Sequence, residues 1–212
     1  MKLVIFAHRT LGYKCVKYLY KINFNQFVVI PPNDDGVDRA FKSVKKFVIE
    51  KNIPFFQFTT INDRSLYDSL LNFNASGSFS CYFPIIIPQN ILSIFKNGSL
   101  NLHGGLLPEY MGTFSGVWSI INDEKYSGST IHFMDRKVDT GHIVERKKVK
   151  ISKNDTGFSL YKKISLTSLS LFKKYYRKLA SGVQLICYKQ DFDKSKYYSR
   201  KIPYEGVINW NW

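Results

Sequence analysis

The sequence predicts an α/β domain built on an open, mostly parallel sheet with flanking helices, followed by a short C-terminal β-hairpin tail. Three observations predict it. Leu3-Val4-Ile5-Phe6-Ala7 is an unbroken apolar run, the mark of a strand covered on both faces and so of a parallel sheet. A polar loop from His8 to Gly12 follows, then helical spacing at Cys15, Val16, Tyr18 and Leu19, which makes a βα unit. Short apolar runs then keep alternating with amphipathic stretches as far as Phe95.

Phe27-Val28-Val29-Ile30 reads as the second strand, stopped by Pro31-Pro32, and the acids Asp34 and Asp35 after it read as a solvated turn. Phe41, Val44, Phe47 and Val48 predict an amphipathic helix. Strands are expected over 53–58 and 78–82, with helices over 65–71 and 91–95. Phe83 to Pro88 is apolar but bracketed by prolines. It cannot be an interior strand and is read as an apolar loop wall at a strand's carboxyl end. A long helix is expected from about Gly157 to Ala180, with N-cap candidates at Asn154 to Thr156 and a stop at Gly182. These elements divide the chain into a catalytic domain, 1–182, and a tail, 183–212. Ligands of open α/β sheets bind off the carboxyl ends of strands. His8, Tyr82 and Asn101 all follow predicted strand ends, so their loops should converge.

Composition narrows the function without fixing it. At 212 residues with 44% hydrophobic residues, the chain can bury one substantial core. The net charge of +15 fits either a solvated lysine-rich surface or an anionic partner, whether phosphate, carboxylate or nucleic acid. Cys15, Cys81 and Cys187 are widely spaced among apolar neighbours and read as buried thiols, with neither a disulfide framework nor a metal site. No signal peptide and no membrane span are expected, so a soluble cytoplasmic protein is. The loop after the first strand holds a single glycine, which excludes the dinucleotide fingerprint GxGxxG.

Chemistry concentrates between Ser99 and Val144. Asn101 and His103 are two apart, so an extended backbone points both side chains to one face. Glycines at 104 and 105 would let a substrate approach the backbone. An Asn amide can donate to the oxygen that turns negative in a tetrahedral intermediate, and a His beside it can move the proton. A carboxylate can fix that imidazole's tautomer, and Asp139 is the candidate. Taken alone, each of these residues fits a structural role equally well.

The motifs also carry a resemblance. NLHGGLLPEYMG resembles a signature of the 10-formyltetrahydrofolate-dependent formyltransferases, Asn-x-His followed by Leu-Leu-Pro-x-Tyr-x-Gly. GSTIHFMDRKVDTGHIV resembles the second signature, Gly-x-Thr-x-His and then Asp-x-Gly-x-Ile, and the separation of His103 from Asp139 agrees. The likeness extends to MKLVIFAHRTLG and covers roughly residues 1–180. It implies the Rossmann-like formyltransferase fold, with Asn101, His103 and Asp139 as the catalytic trio. It further implies a pterin pocket walled by Pro84, Ile85, Ile86 and Ile87 on one side and Met134, Asp135, Arg136 and Val138 on the other. His8, Arg9, Tyr82, Gly105 and Tyr110 are the candidates on the acceptor side. His132 matches a second family histidine with a structural role, and His142 reads as surface. Many members carry Arg where this chain has Met111, so anion recognition must fall to Arg9 or a nearby lysine.

Among the branches, the resemblance is best to the nucleotide-sugar N-formyltransferases, through VIFAHRTLG and the ending YYSRKIPYEGVINWNW. The implied acceptor is the amine of a nucleoside-diphosphate-linked amino-deoxy sugar, a precursor of surface polysaccharide such as lipopolysaccharide. The implied co-substrate is 10-formyltetrahydrofolate, with no metal, no nucleic acid and no membrane as partners. Trp210 and Trp212 would suit a homodimer contact or fold back on the core. The chain leaves no room for the extra domain of methionyl-tRNA formyltransferases. A phosphoribosylglycinamide formyltransferase-like enzyme is the alternative, although His8-Arg9-Thr10 does not resemble its glycine-rich phosphate loop. A basic nucleic-acid-binding domain is the reading from another class, but the lysines are dispersed and no RNA-recognition motif appears.

Overall fold

The apolar run at the N-terminus becomes β1 (Lys2–Ala7), and Leu3 to Ala7 are fully buried. Leu3, Ile5 and Ala7 join one core cluster, Val4 and Phe6 the other, so the strand is covered on both faces, as the run predicts. The computed structural model describes residues 1–201. From β1 the chain passes through α1 (Arg9–Lys21), β2 (Asn25–Ile30), α2 (Val44–Glu50), β3 (Phe55–Gln57), α3 (Arg64–Phe73), β4 (Gly77–Cys81), α4 (Gln89–Leu92) and β5 (Ser99–His103). The second half holds β6 (Met111–Gly112), α5 (Ser115–Ile121), β7 (Tyr126–Phe133), β8 (Ile143–Lys150), α6 (Gly157–Ser181) and β9 (Tyr197–Tyr198).

Seven strands form one sheet in the order β3-β2-β1-β4-β5-β7-β8. The pairings from β3 to β5 are parallel, and β7 and β8 extend that edge antiparallel. The order changes direction beside β1, and the carboxyl ends of β1, β4 and β5 lie side by side in register. This is the doubly wound arrangement in which ligands bind at strand ends. Helix α6 closes one face through Leu160, Ile164, Leu171, Tyr175 and Leu179, all buried. Its start is a capping box between Thr156 and Ser159, and its end is Gly182 at φ +74°.

Several expectations change. The stretch from Ser99 to Val144, where only the strand at Asn101 and His103 is expected, also contains α5, β7 and the start of β8. Asn101 lies within β5, so of the three residues expected beyond strand ends only His8 and Tyr82 are there. Phe41 sits outside α2, its ring in the preceding loop. Asp34 is buried instead of solvated: its carboxylate accepts from the Ser43 hydroxyl (2.5 Å) and the Val44 amide (2.8 Å) and so anchors the start of α2. Cys15 and Cys81 are buried and free, whereas Cys187 is half-exposed. The described part of the tail, 183–201, pairs with strands of the domain. Ile143 and Tyr188 exchange backbone hydrogen bonds of 2.9 and 3.0 Å, and β9 pairs in parallel with β6. The rest of the expected hairpin, with Trp210 and Trp212, lies outside the described residues. No helix among those described is long and apolar enough to cross a membrane.

Candidate active site

Three elements bring the predicted trio together. β5 supplies Asn101 and His103 on one face, with His103 its last residue and buried. β7 runs antiparallel beside it and pairs Asn101 with His132. The turn after β7 supplies Asp139, buried and at φ +59°. The Asp139 carboxylate lies 3.4 Å from His103 Nδ1 through Oδ2 and 3.5 Å from His132 Nε2 through Oδ1. It also accepts the Gly112 amide at 2.8 Å and the Asn101 Nδ2 at 3.4 Å. Burial alone would raise this carboxyl, but the facing His103 and the Gly112 amide outweigh it and hold it at about 2. A permanent anion therefore faces His103.

The other ring nitrogens are fixed by carbonyls. His103 Nε2 lies 2.6 Å from the Tyr110 carbonyl and 3.2 Å from Ser115 Oγ at the start of α5. His132 Nδ1 lies 2.8 Å from the Phe133 carbonyl, which places its proton there and leaves Nε2 to accept from Asn101 Nδ2 at 3.0 Å. Both hydrogens of the Asn101 amide are thus held, one by His132 and one by Asp139. An Asn101 that donates to a developing oxyanion must release one of them. His132 is therefore a member of the polar cluster itself, more than a structural neighbour. His142, by contrast, is exposed as predicted.

Backbone conformation marks the same place. Among the described residues, eight non-glycine residues have positive φ. Asn23, Asn52, Asn74 and Asp123 terminate helices, where this conformation is ordinary. The other four are Arg9, Tyr82, Phe114 and Asp139, at the end of β1, the end of β4, the entry to α5 and the turn after β7. Side chains of this kind are held in the left-handed region only where the surroundings over-determine them, and such residues cluster at functional sites.

The remaining predicted residues fall around this centre. Tyr82 brings its hydroxyl against Gly104, where an added Cβ would lie 2.9 Å away, and burial pushes that phenol well up. At Gly105 an added Cβ would meet Ser115 Cβ at 2.6 Å and His103 Nε2 at 2.8 Å. Protein atoms therefore fill the space that the two glycines were expected to open to substrate. Tyr110 is buried, donates to Glu124 at 2.7 Å and stacks on Tyr198 with ring centroids 5.0 Å apart. Burial and the adjacent Arg9 charge bring His8 down to about 4, so it is neutral at ordinary pH. Arg9 lays its guanidinium over Phe41, 4.7 Å from the ring centroid.

Ile87 is buried, Ile86 is 68% exposed, and the loop packs on the same core cluster as Met134. Among the described residues, the backbone N–H and C=O groups of Ile85, Ile86 and Ile87 make no hydrogen bond within the protein. They remain available to a ligand's polar edge. Asp135 binds its own loop, accepting from Thr140 Oγ1 (2.6 Å) and the Lys137 amide (3.0 Å). Arg136 and Val138 are exposed. Among the described residues no group of three or more His, Cys, Asp or Glu side chains is placed to hold a metal ion. Three participants had no signal in the sequence: Ser115, Gly112 through its amide, and Gln190, whose Nε2 donates to the carbonyls of Asp139 and Gly141, each at 2.7 Å.

The formyl transferase family matches residues 14–174 of this chain. The chain belongs to the formyl transferase family. One relative of this chain is the bifunctional polymyxin resistance protein ArnA of Wigglesworthia glossinidia brevipalpis. The two are 37% identical over 214 residues, covering 100% of this chain and 32% of the relative, so the chain spans about a third of that protein's length. Among solved structures, the sugar 3N-formyl transferase WlaRD, crystallised in the presence of dTDP and 5-N-formyl-THF, matches with a TM-score of 0.78 and 29% identity over 95% of this chain and 70% of its own. The N-formyltransferase from Helicobacter canadensis, in complex with folinic acid and dTDP-3-aminofucose, matches with a TM-score of 0.77 and 28% identity over 94% and 71%.

Proposed function

We propose that this formyl transferase moves a formyl group from 10-formyltetrahydrofolate to the amine of a nucleoside-diphosphate-linked amino sugar. The observation that carries the reading is the convergence of Asn101, His103 and Asp139 at the carboxyl end of β5 in a chain of this family. The folate supplies an activated formyl carbon. The acceptor nitrogen forms a bond to that carbon, the bond to the folate nitrogen breaks, and the proton lost by the amine is passed to the departing nitrogen. His103 moves that proton, Asp139 holds the imidazole in place, and Asn101 donates to the oxygen as charge develops on it.

Both ligand classes have chemistry suited to them. The exposed Ile86 and the free backbone groups of Ile85 to Ile87 fit a flat ring with a hydrogen-bonding edge. At the end of β1, Arg9 over Phe41, Tyr161 beside Phe41 (5.2 Å between centroids) and Lys162 over Phe158 (4.4 Å) make a basic, aromatic surface. Rings of that kind stack on a base, and cations meet phosphates. The relatives' own ligands, dTDP and dTDP-3-aminofucose, support the nucleotide sugar. The reading includes a cytoplasmic homodimer, which the exposed Val183, Ile186, Phe192 and Tyr197 of the tail support.

The test is incubation with 10-formyltetrahydrofolate and a panel of dTDP-, UDP- and GDP-linked amino sugars, followed by mass spectrometry. A gain of one formyl group on a nucleotide sugar is expected. Formylation of glycinamide ribonucleotide alone would overturn the acceptor, and no formylation of any amine would overturn the reaction.

A further inference from the structure

Asp139 is held from behind by a residue 51 positions later in the chain. Gln190 is 7% exposed, and its amide nitrogen spends both hydrogens on the carbonyls of Asp139 and Gly141, at 2.7 Å each. Those two carbonyls flank Thr140, so one side chain pins both ends of the turn that presents the carboxylate. The turn has little slack elsewhere: an added Cβ at Gly141 would lie 1.8 Å from the Phe133 carbonyl oxygen. Among the described residues Gln190 Oε1 is buried without a partner, so the amide's orientation is set by its donor side.

The same segment grips the opposite side of the trio. β9 pairs with β6, with Lys196 O accepting the Met111 amide and Tyr198 O the Thr113 amide, both at 2.9 Å. Between these two bonds lies Gly112, whose amide donates to Asp139 Oδ2. Tyr198 also stacks on Tyr110, the residue whose carbonyl holds His103 Nε2. Asn122 Nδ2 ties the two phenols together, at 3.1 Å from Tyr110 and 2.9 Å from Tyr198.

We infer that the segment from Gln190 to Tyr198 is part of the reaction centre's scaffold, and that Gln190 is a positioning residue acting on catalysis through Asp139. It sits behind the turn and touches neither substrate in this account. The inference rests on the formyl-transfer reading only for its kinetic arm. The docking of the tail does not depend on the Gln190 side chain, because the Ile143–Tyr188 bridge and the β6–β9 pairing anchor it on both sides. A variant at Gln190 should therefore fold.

The experiment is a double-mutant cycle of Gln190→Met, which keeps length and removes both donors, with Asp139→Asn. Displacement of a catalytic group by about an ångström costs on the order of 10²-fold. Gln190→Met should accordingly lower kcat by about 10- to 100-fold, leave KM for both substrates within about threefold, and have almost no further effect in the Asp139→Asn background. Ile49→Ala, a control at an exposed side chain of α2 outside that segment, should leave kcat unchanged. An activity-independent arm compares the ring ¹⁵N and ¹H signals of His103 in the free proteins. Gln190→Met should move them in the same direction as Asp139→Asn. Equal losses of activity in the two backgrounds, or His103 signals that stay at their wild-type positions, would overturn the inference. If wild-type protein formylates nothing while the His103 signals move as expected, the functional reading fails and the positioning role stands.

Discussion

β1 and β7 belong to one sheet and are about equally buried, yet they are built from opposite chemistry. Leu3 to Ala7 contribute only apolar side chains to the core. β7 contributes Ser127, Ser129, Thr130 and His132, all at 2% exposure or less. Each of the β7 groups is satisfied by a specific partner. Thr130 Oγ1 donates to the Gly105 carbonyl (2.7 Å) and accepts the Leu107 amide (3.1 Å). Ser129 Oγ donates to the His103 carbonyl (3.2 Å), Ser127 Oγ accepts from Ser119, and His132 holds Asn101. β1 stabilises by removing surface from water. β7 spends its interior on moulding the loop that follows β5. Buried polar groups are tolerated only when paired, so this edge is where geometry is specified most tightly.

The contrast can be broken at either strand. The largest effect is expected at the last residue of β5: His103→Ala should cut the turnover of formyl transfer by about 10²- to 10⁴-fold, a loss of activity far larger than its loss of stability, measured by steady-state kinetics and calorimetry. Phe6→Ala in β1 should do the reverse, costing about 3–5 kcal/mol in denaturant unfolding and leaving kcat near the wild-type value.

Acid should attack the two regions in separate windows. His8, held neutral by burial, has a folded value of about 4 against 6.5 unfolded, so the unfolded chain binds its proton first. Stability should fall by on the order of 2–3 kcal/mol as pH drops from about 6.5 to 4, and His8→Gln should flatten that part of the curve. Asp139 stays ionised to about 2, so its contribution should disappear only between about pH 4 and 2 and be absent from that window in Asp139→Asn. The smallest effect distinguishes moulding from filling. Thr130→Val in β7 keeps the volume but orphans the Leu107 amide, and should cost about 1–3 kcal/mol in stability together with a fall in kcat.

The same contrast explains what could be read from the sequence. β1 and β2 were legible because strands covered on both faces write themselves as apolar runs. β7 and β8 were not: YSGSTIHF hides a buried strand behind hydroxyls, and the lysines of IVERKKVK give a mostly exposed edge the look of a charged loop. Asn101 and His103 follow from the two-residue period of a strand. Asp139, thirty-six residues beyond His103, could be linked to it only through family resemblance, since nothing local says where a turn will fold. Gln190 sits among polar residues with no periodicity, and only the folded chain brings it to the Asp139 turn. Asp34 was misread for the complementary reason: a buried acid that caps a helix from ten residues away looks like any turn acid.

The pairing of β6 with β9 also carries a consequence for the order in which the molecule is made. The strand pairings of the parallel half of the sheet involve no residue after His103, although one face of it waits for α6. The turn bearing Asp139 meets its last supports only after residues 190 to 198 have emerged. A nascent chain therefore carries paired strands while the turn bearing Asp139 still lacks the contacts that Gln190 and β9 bring to it.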